Sequence, residues 1–289
     1  MNSWSWLLGL AVWLAVSARA QVEVELLMDK DQFLPRESLL VGVRITNMSG
    51  QSLLLGRDEG WLRFDLESIQ QMPLRKLGQL PVAGEFKIES SQVATKVVDL
   101  APGYLLTQPG RYRLSATVYI KEWDQTLSSK PRSFEVIKGT KLWEQQFGMP
   151  QVNRTTNQPP EVRKYSLVSA YAMNRLQLYV NLTDATENQF YQVLPLGPVV
   201  SFGEPEAFID RHSQLHALFQ TGARSFQYVV VRSSGQITVR QTHEYLGSRP
   251  RLLPDGKGGY WVLGGVRRPT AEDLSPPQTA APVTNAPGK

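Results

Sequence analysis

Cysteine is absent from all 289 residues, and histidine occurs only three times. The first absence excludes disulfides, thiolate metal sites, cysteine nucleophiles and a lipidated N-terminal cysteine. The second leaves His212, His216 and His243 as the whole supply of imidazole. No Gly-x-Ser-x-Gly occurs, so the commonest serine-hydrolase elbow is missing. Asp255-Gly-Lys-Gly-Gly259 is glycine-rich but lacks the length and the trailing Lys-Ser/Thr of a phosphate loop, and it reads as a turn. Long apolar runs are scarce as well. The run at residues 4–16, WSWLLGLAVWLAV, is shorter than the roughly 20 residues that a spanning helix needs.

That run is followed by Ser17-Ala18-Arg19-Ala20, with small residues placed as in an A-x-A cleavage site. No Lys or Arg precedes it, so the terminal amine alone charges its start. The pattern predicts a secretory signal over residues 1–20, cleaved after Ala20, and a secreted or periplasmic protein. A cysteine-free exported chain fits a bacterial envelope better than an animal extracellular space.

Formal charge is +5, and removing Arg19 with the leader leaves +4. The excess is local. Residues 206–268 carry nine basic side chains (Arg211, Arg224, Arg232, Arg240, Arg249, Arg251, Lys257, Arg267, Arg268) against Glu206, Asp210, Glu244 and Asp255. For an exported chain this balance points to an envelope protein or an anionic glycan or lipid surface as partner, and not to nucleic acid.

Residues 21–138 read as a series of short strands. Val22–Leu26 and Leu62–Leu66 alternate, Leu39–Thr46 is β-rich, and Asn47-Met-Ser-Gly50 turns the chain. From Pro109 to Ile120 the side chains of Tyr112, Leu114, Ala116 and Val118 share one face, with Arg111 and Arg113 on the other. About seven strands at this spacing predict an antiparallel sandwich. The combination Phe33-Leu-Pro-Arg-Glu-Ser-Leu39, Ile45–Gly50 and Pro109-Gly-Arg-Tyr-Arg-Leu114 resembles exported bacterial immunoglobulin-like domains. In those domains a corner tyrosine precedes a late strand, and Tyr112 occupies that place here. The cysteines and the core tryptophan spacing of antibody domains are missing, so the likeness is architectural. It implies a domain that binds or spaces.

Residues 139–160 read as a linker, with Trp143 and Phe147 pinning its first half to a neighbouring domain. Residues 161–268 form a second domain with an internal echo. Leu176-Gln-Leu-Tyr-Val180, Phe190–Val193 and Gly197 recur as Leu215-His-Ala-Leu-Phe219, Phe226–Val229 and Gly235, at offsets of 39, 36 and 38. A third start falls at Tyr260-Trp-Val-Leu263. A period near 40 resembles propeller blades, and two and a fraction blades cannot close a ring, so self-association into a homo-oligomer is expected. Residues 269–289, rich in Pro, Thr and Ala, read as a disordered tail.

Two readings of FIDRHSQLHALFQ (208–220) compete. On a helix, His212 and His216 would share a face with Asp210 just upstream, and the three could bind a metal, with His243 as a further ligand. The repeat instead places 214–219 on a strand and Asp-Arg-His-Ser in the turn before it. The two histidines would then lie about 13 Å apart, with Asp210 capping the turn. The carboxylates Asp58, Glu59, Asp65 and Glu67 read as a solvated sheet face.

The sequence thus predicts an all-β chain: an immunoglobulin-like sandwich, then a propeller-blade-like domain, then the tail. Its expected function is non-enzymatic binding or assembly at the cell envelope. Arg224, Tyr228, Arg240, Tyr245 and Trp261 are the candidate binding surface of the basic domain, by aromatic stacking among arginines. No catalytic residue, metal or cofactor is assigned. The competing reading is a hydrolase of glycans or peptides, metal-dependent or not, with its site in the second domain. Convergence of Asp210, His216, His243 and Glu244 on one concave surface would favour it.

Overall fold

The structure is a computed structural model and describes residues 22–149 and 161–274. The leader expected over 1–20, the end of the linker and the tail beyond 274 lie outside the described residues. Among the described residues the chain is all-β, with 3-10 turns only at Ala101–Gly103 and Lys121–Trp123.

The first unit comprises β1 (Val22–Leu27), β2 (Gln32–Phe33), β3 (Leu40–Asn47), β4 (Leu53–Leu55), β5 (Leu62–Ser68), β6 (Arg75–Lys76), β7 (Phe86–Ile88), β8 (Gln92–Asp99), β9 (Tyr104–Leu105), β10 (Gly110–Ile120), β11 (Gln125–Ser128) and β12 (Arg132–Val136). One sheet has the order β1-β3-β8. The other is built on β10, with β5 along one side and β11 and β12 sharing the other, and β2 adds parallel to β12. The alternation read from the sequence sets which face is inside: β1 and β5 bury every second residue, and β10 buries Tyr112, Leu114, Ala116, Val118 and Ile120. These residues meet Val41, Val43 and Ile45 of β3 in one core between the sheets. The Tyr112 hydroxyl donates to the Gln108 carbonyl at 2.8 Å, closing the corner before β10, and its ring stacks on Phe134.

The second unit comprises β13 (Thr140–Gly148), β14 (Val162–Ala172), β15 (Arg175–Asp184), β16 (Phe190–Pro198), β17 (Glu206–Ile209), β18 (Leu215–Gln220), β19 (Ser225–Val231), β20 (Ile237–Glu244), β21 (Arg251–Pro254), β22 (Tyr260–Leu263) and β23 (Val266–Arg267). It contains two successive antiparallel meanders, β13-β14-β15-β16 and β17-β18-β19-β20, the second extended by β23. They share a core of Phe147, Tyr165, Leu167, Leu178, Val180 and Leu182 against Leu215, Ala217, Phe219, Val229 and Val231. On the far face of the second meander the β21–β22 hairpin forms a third layer, with Leu252, Tyr260 and Val262 against Leu218, Phe226, Tyr228 and Val230.

Four expectations change. The second unit contains two meanders, but the expected repeat near 40 residues does not align them and falls one strand off. The echo at 39 residues matched β15 to β18, whereas strand order matches β14 with β18, β15 with β19 and β16 with β20. The starts of these partners lie 53, 50 and 47 residues apart (Val162 to Leu215, Arg175 to Ser225, Phe190 to Ile237). The third start at Tyr260 belongs to the covering hairpin, and no closed ring forms among the described residues. The linker expected at 139–160 begins with a strand: β13 is mostly exposed, so its sequence is polar, yet Phe147 is buried and stacks on Tyr165 at 4.6 Å. The tail expected from 269 stays attached as far as Leu274, which exchanges two 2.9 Å backbone hydrogen bonds with Arg240.

The two units touch through a small cluster of their own. Leu34 and Ile137 meet Val168, Ala170, Tyr179, Val193 and Phe190. Arg36 lies over the Phe190 ring, and Gln32 accepts the Met173 N–H at 3.1 Å. Gly139 sits where a Cβ would fall 2.3 Å from Val168, so the junction requires a residue without a side chain.

Candidate functional site: a sealed histidine layer and an open cleft

Residues 208–220 form the β17–β18 hairpin, so the strand reading holds and the helical metal face does not. Asp210 caps the turn: its Oδ1 accepts the N–H groups of His212 and Gln214, both at 2.8 Å. Its Oδ2 lies 3.2 Å from His216 Nε2. His216 Nδ1 lies 2.7 Å from the Tyr228 hydroxyl. The tautomer protonated on Nε2 satisfies both contacts, with Nε2–H donating to Asp210 and Nδ1 accepting from Tyr228. The ring of His216 rests between Tyr228 and Tyr260, which in turn stacks on Phe208 at 4.9 Å. A hydrogen bond from Arg211 N–H to the Gly258 carbonyl ties the turn to the covering hairpin. The side chains of Asp210 and His216 are only 4% and 8% exposed.

Burial pushes the His216 pKa down, against the opposing pull of Asp210, and it pushes the Tyr228 hydroxyl up. The histidine is therefore held neutral, and the cluster is a satisfied polar network under a lid of β-hairpin. His212 is exposed on the turn and its Nε2 accepts from Arg211, so it does not join Asp210 and His216. No group of three or more His, Asp or Glu able to hold a metal occurs among the described residues. His243 lies on β20 opposite Phe226, four residues along the sheet from the Val230 that faces His216, a separation of about 13 Å. Glu244 pairs with Arg268 at 2.8 Å. The four residues whose convergence would have signalled an enzyme thus do not converge.

The five expected binding residues divide. Tyr228 is 7% exposed and belongs to the histidine layer. Arg240 is half-buried, donates to the Leu196 carbonyl at 2.7 Å and has its pKa lowered by burial, so it ties β20 to the first meander. Arg224, Tyr245 and Trp261 are exposed. Arg224 and Tyr245 adjoin through the Tyr245 N–H to Arg224 carbonyl bond, whereas Trp261 sits on the outer face of β22. There it is cross-strand partner to Leu253, and with Leu263 it forms an apolar stripe: Leu253, Trp261 and Leu263 are 39%, 49% and 46% exposed.

Sequence reasoning missed a cleft in the first unit. It encloses about 710 Å³ along the start of β5 and is lined by Glu59, Arg63, Asp65, Lys76, Leu80 and Tyr104, among others. Its far wall is the segment 76–81. Tyr104 donates to the Phe64 carbonyl at 2.7 Å, and its hydroxyl pKa is raised by burial and then by Asp65. Alternating charge along β5 was the available signal, but it reads equally well as an ordinary solvated face.

Fold and site together define an all-β protein of two β units. Comparison with family models, with curated proteins and with solved structures found no match. No helix among the described residues is long and apolar enough to cross a membrane.

Proposed function

We propose that the protein is an exported, non-enzymatic binding or assembly module of the cell envelope, and that its partner meets the second unit at the β21–β22 hairpin. The observation that carries this reading is the stripe Leu253–Trp261–Leu263 on the outer face of that hairpin. Its inner face already has a structural task in covering His216 and Tyr228. An aromatic residue with two leucines left in solvent, on the hairpin that carries Lys257 and the Glu206-paired Arg251, suits a partner that offers apolar contact with some negative charge. An envelope protein with an acidic rim or an anionic glycan or lipid surface has that chemistry. The neutral, sealed state of His216 supports a structural role for the cluster it forms with Asp210 and Tyr228.

Two features support an immunoglobulin-like reading of the first unit: the parallel addition of β2 to β12 and the Tyr112 corner. The face-to-face meanders of the second unit support the blade-like reading. The test is capture of partners from envelope extract, together with sedimentation on vesicles containing phosphatidylglycerol, by the wild-type chain and by a Leu253→Ser/Trp261→Ser variant. The variant should lose what the wild type retains. Equal retention of the same partners by both chains would refute the assignment of this surface.

A further inference from the structure

The cleft beside β5 lies along an unpaired sheet edge. The bonds Tyr119 N–H to Trp61 carbonyl and Ile69 N–H to Arg111 carbonyl set the phase of the β5–β10 ladder. In an antiparallel pair every second residue bonds inward, so Arg63, Asp65 and Glu67 use their backbone groups on β10. Leu62, Phe64 and Leu66 then turn theirs outward. No strand pairs with that edge among the described residues, and the Tyr104 hydroxyl takes one position on it, the Phe64 carbonyl. Such a row of donors and acceptors at strand spacing is complementary to another polypeptide backbone.

Charge gives a second, independent sign. Glu59, Arg63, Asp65 and Lys76 line the cleft, and none forms an ion pair among the described residues. Their neighbours Glu67 and Asp58 are paired, with Arg113 and Lys121. Arg63 and Asp65 stand two residues apart on the exposed face of β5, so both would face the side chains of an added strand.

We propose that β5 receives an extended peptide strand in the cleft, running antiparallel to β5, with an acidic side chain opposite Arg63 and a basic one opposite Asp65. Read from its N-terminus, the ligand carries Lys-x-Glu. Its central residue faces Phe64 and exchanges two backbone hydrogen bonds with it, the Phe64 carbonyl using its second lone pair. The length Leu62–Asp65 accommodates about four ligand residues at strand rise. This site is separate from the β21–β22 surface, and either can fail without the other.

The probe is the synthetic peptide Thr-Thr-Lys-Val-Glu-Thr-Thr, titrated into the full chain and followed by amide NMR shifts and hydrogen exchange. Binding should move and protect the amides of Leu62, Phe64 and their neighbours. N-methylation of the central valine should abolish it. Arg63→Asp should weaken it roughly tenfold, as two favourable cross-strand charge contacts become one favourable and one repulsive. The double reversal Arg63→Asp/Asp65→Arg should prefer the Thr-Thr-Glu-Val-Lys-Thr-Thr peptide instead. Both positions are exposed on the strand, so the variants should keep the wild-type far-ultraviolet circular dichroism. Absence of shifts at Leu62–Asp65, or equal binding of the N-methylated peptide, would overturn the proposal. So would unchanged charge preference in the double variant. A concentration-dependent doubling of mass without peptide, lost in Arg63→Asp, would overturn it in favour of a second copy on the same edge.

Discussion

Replacing Tyr228 by phenylalanine removes a single oxygen from the layer between the second meander and the β21–β22 hairpin. The ring stays, and with it the apolar contacts to Leu218, Phe226 and Val230. What is lost is the 2.7 Å donor to His216 Nδ1 and the longer 3.3 Å approach to the Tyr260 carbonyl. With Nε2–H committed to Asp210, Nδ1 is left as a buried acceptor without a partner, which costs about 1–3 kcal/mol. At about 2–4 °C per kcal/mol for a chain of this size, the melting point should fall by about 2–12 °C. Urea denaturation followed by circular dichroism gives the free energy directly. A cycle with His216→Phe isolates the pair, and coupling of about 0.5–3 kcal/mol is expected for two groups in one network. A Tyr228→Phe chain as stable as wild type, with no coupling to position 216, would refute the claim that this layer is sealed and its polar atoms matched.

Acid should weaken the protein through its histidines. Burial lowers the pKa of His216, and it lowers that of His243 with help from Arg267, against the opposing charges of Asp210 and Asp273. The unfolded chain therefore takes up protons at these sites from about pH 6.5 downward, before the folded chain does. Their contribution is complete above that pH and is lost as pH falls through the folded values, so the urea midpoint should decline on acidification. A midpoint independent of pH between neutrality and pH 5 would contradict the burial of both rings. Leu34→Ala, at the contact between the two units, should cost about 2–3 kcal/mol and split thermal unfolding into two transitions. One unchanged cooperative transition by calorimetry would show that this contact does not couple the units.

Much of this architecture was legible because half-buried strands write their period into the chain. In β1, β5 and β10 each alternate residue had to be apolar, and the turn at Asp210 carried its own capping residue. The misplaced register of the repeat has a local cause. β14 carries Lys164, Ser166 and Ser169 among its buried residues, and β13 is largely exposed, so neither looked like the strand it matches in the second meander. The burial of Tyr228 depends on a hairpin more than twenty residues away, which the alternation along β19 does not reveal. That hairpin is apolar on both faces, so alternation could not say which face turned inward. The β5 cleft was illegible for a different reason. Whether a strand lies at an edge is a property of topology, and Arg63, Phe64 and Asp65 would read the same in the middle of a sheet.

The last described segment bears on how the protein can associate. From Val266 to Leu274 the chain returns to the outer side of β20, pairing at His243–Glu244 and again at Arg240. A meander can be lengthened by a neighbour only where its final strand offers a bare row of backbone groups. Here that row is occupied from within, as the terminal unit of a stacked array is closed off by a dedicated cap. A second copy that extended this meander through β20 would first have to displace the segment from Val266 to Leu274. With the segment in place, the free surfaces of the second unit are its faces, its loops and the opposite margin.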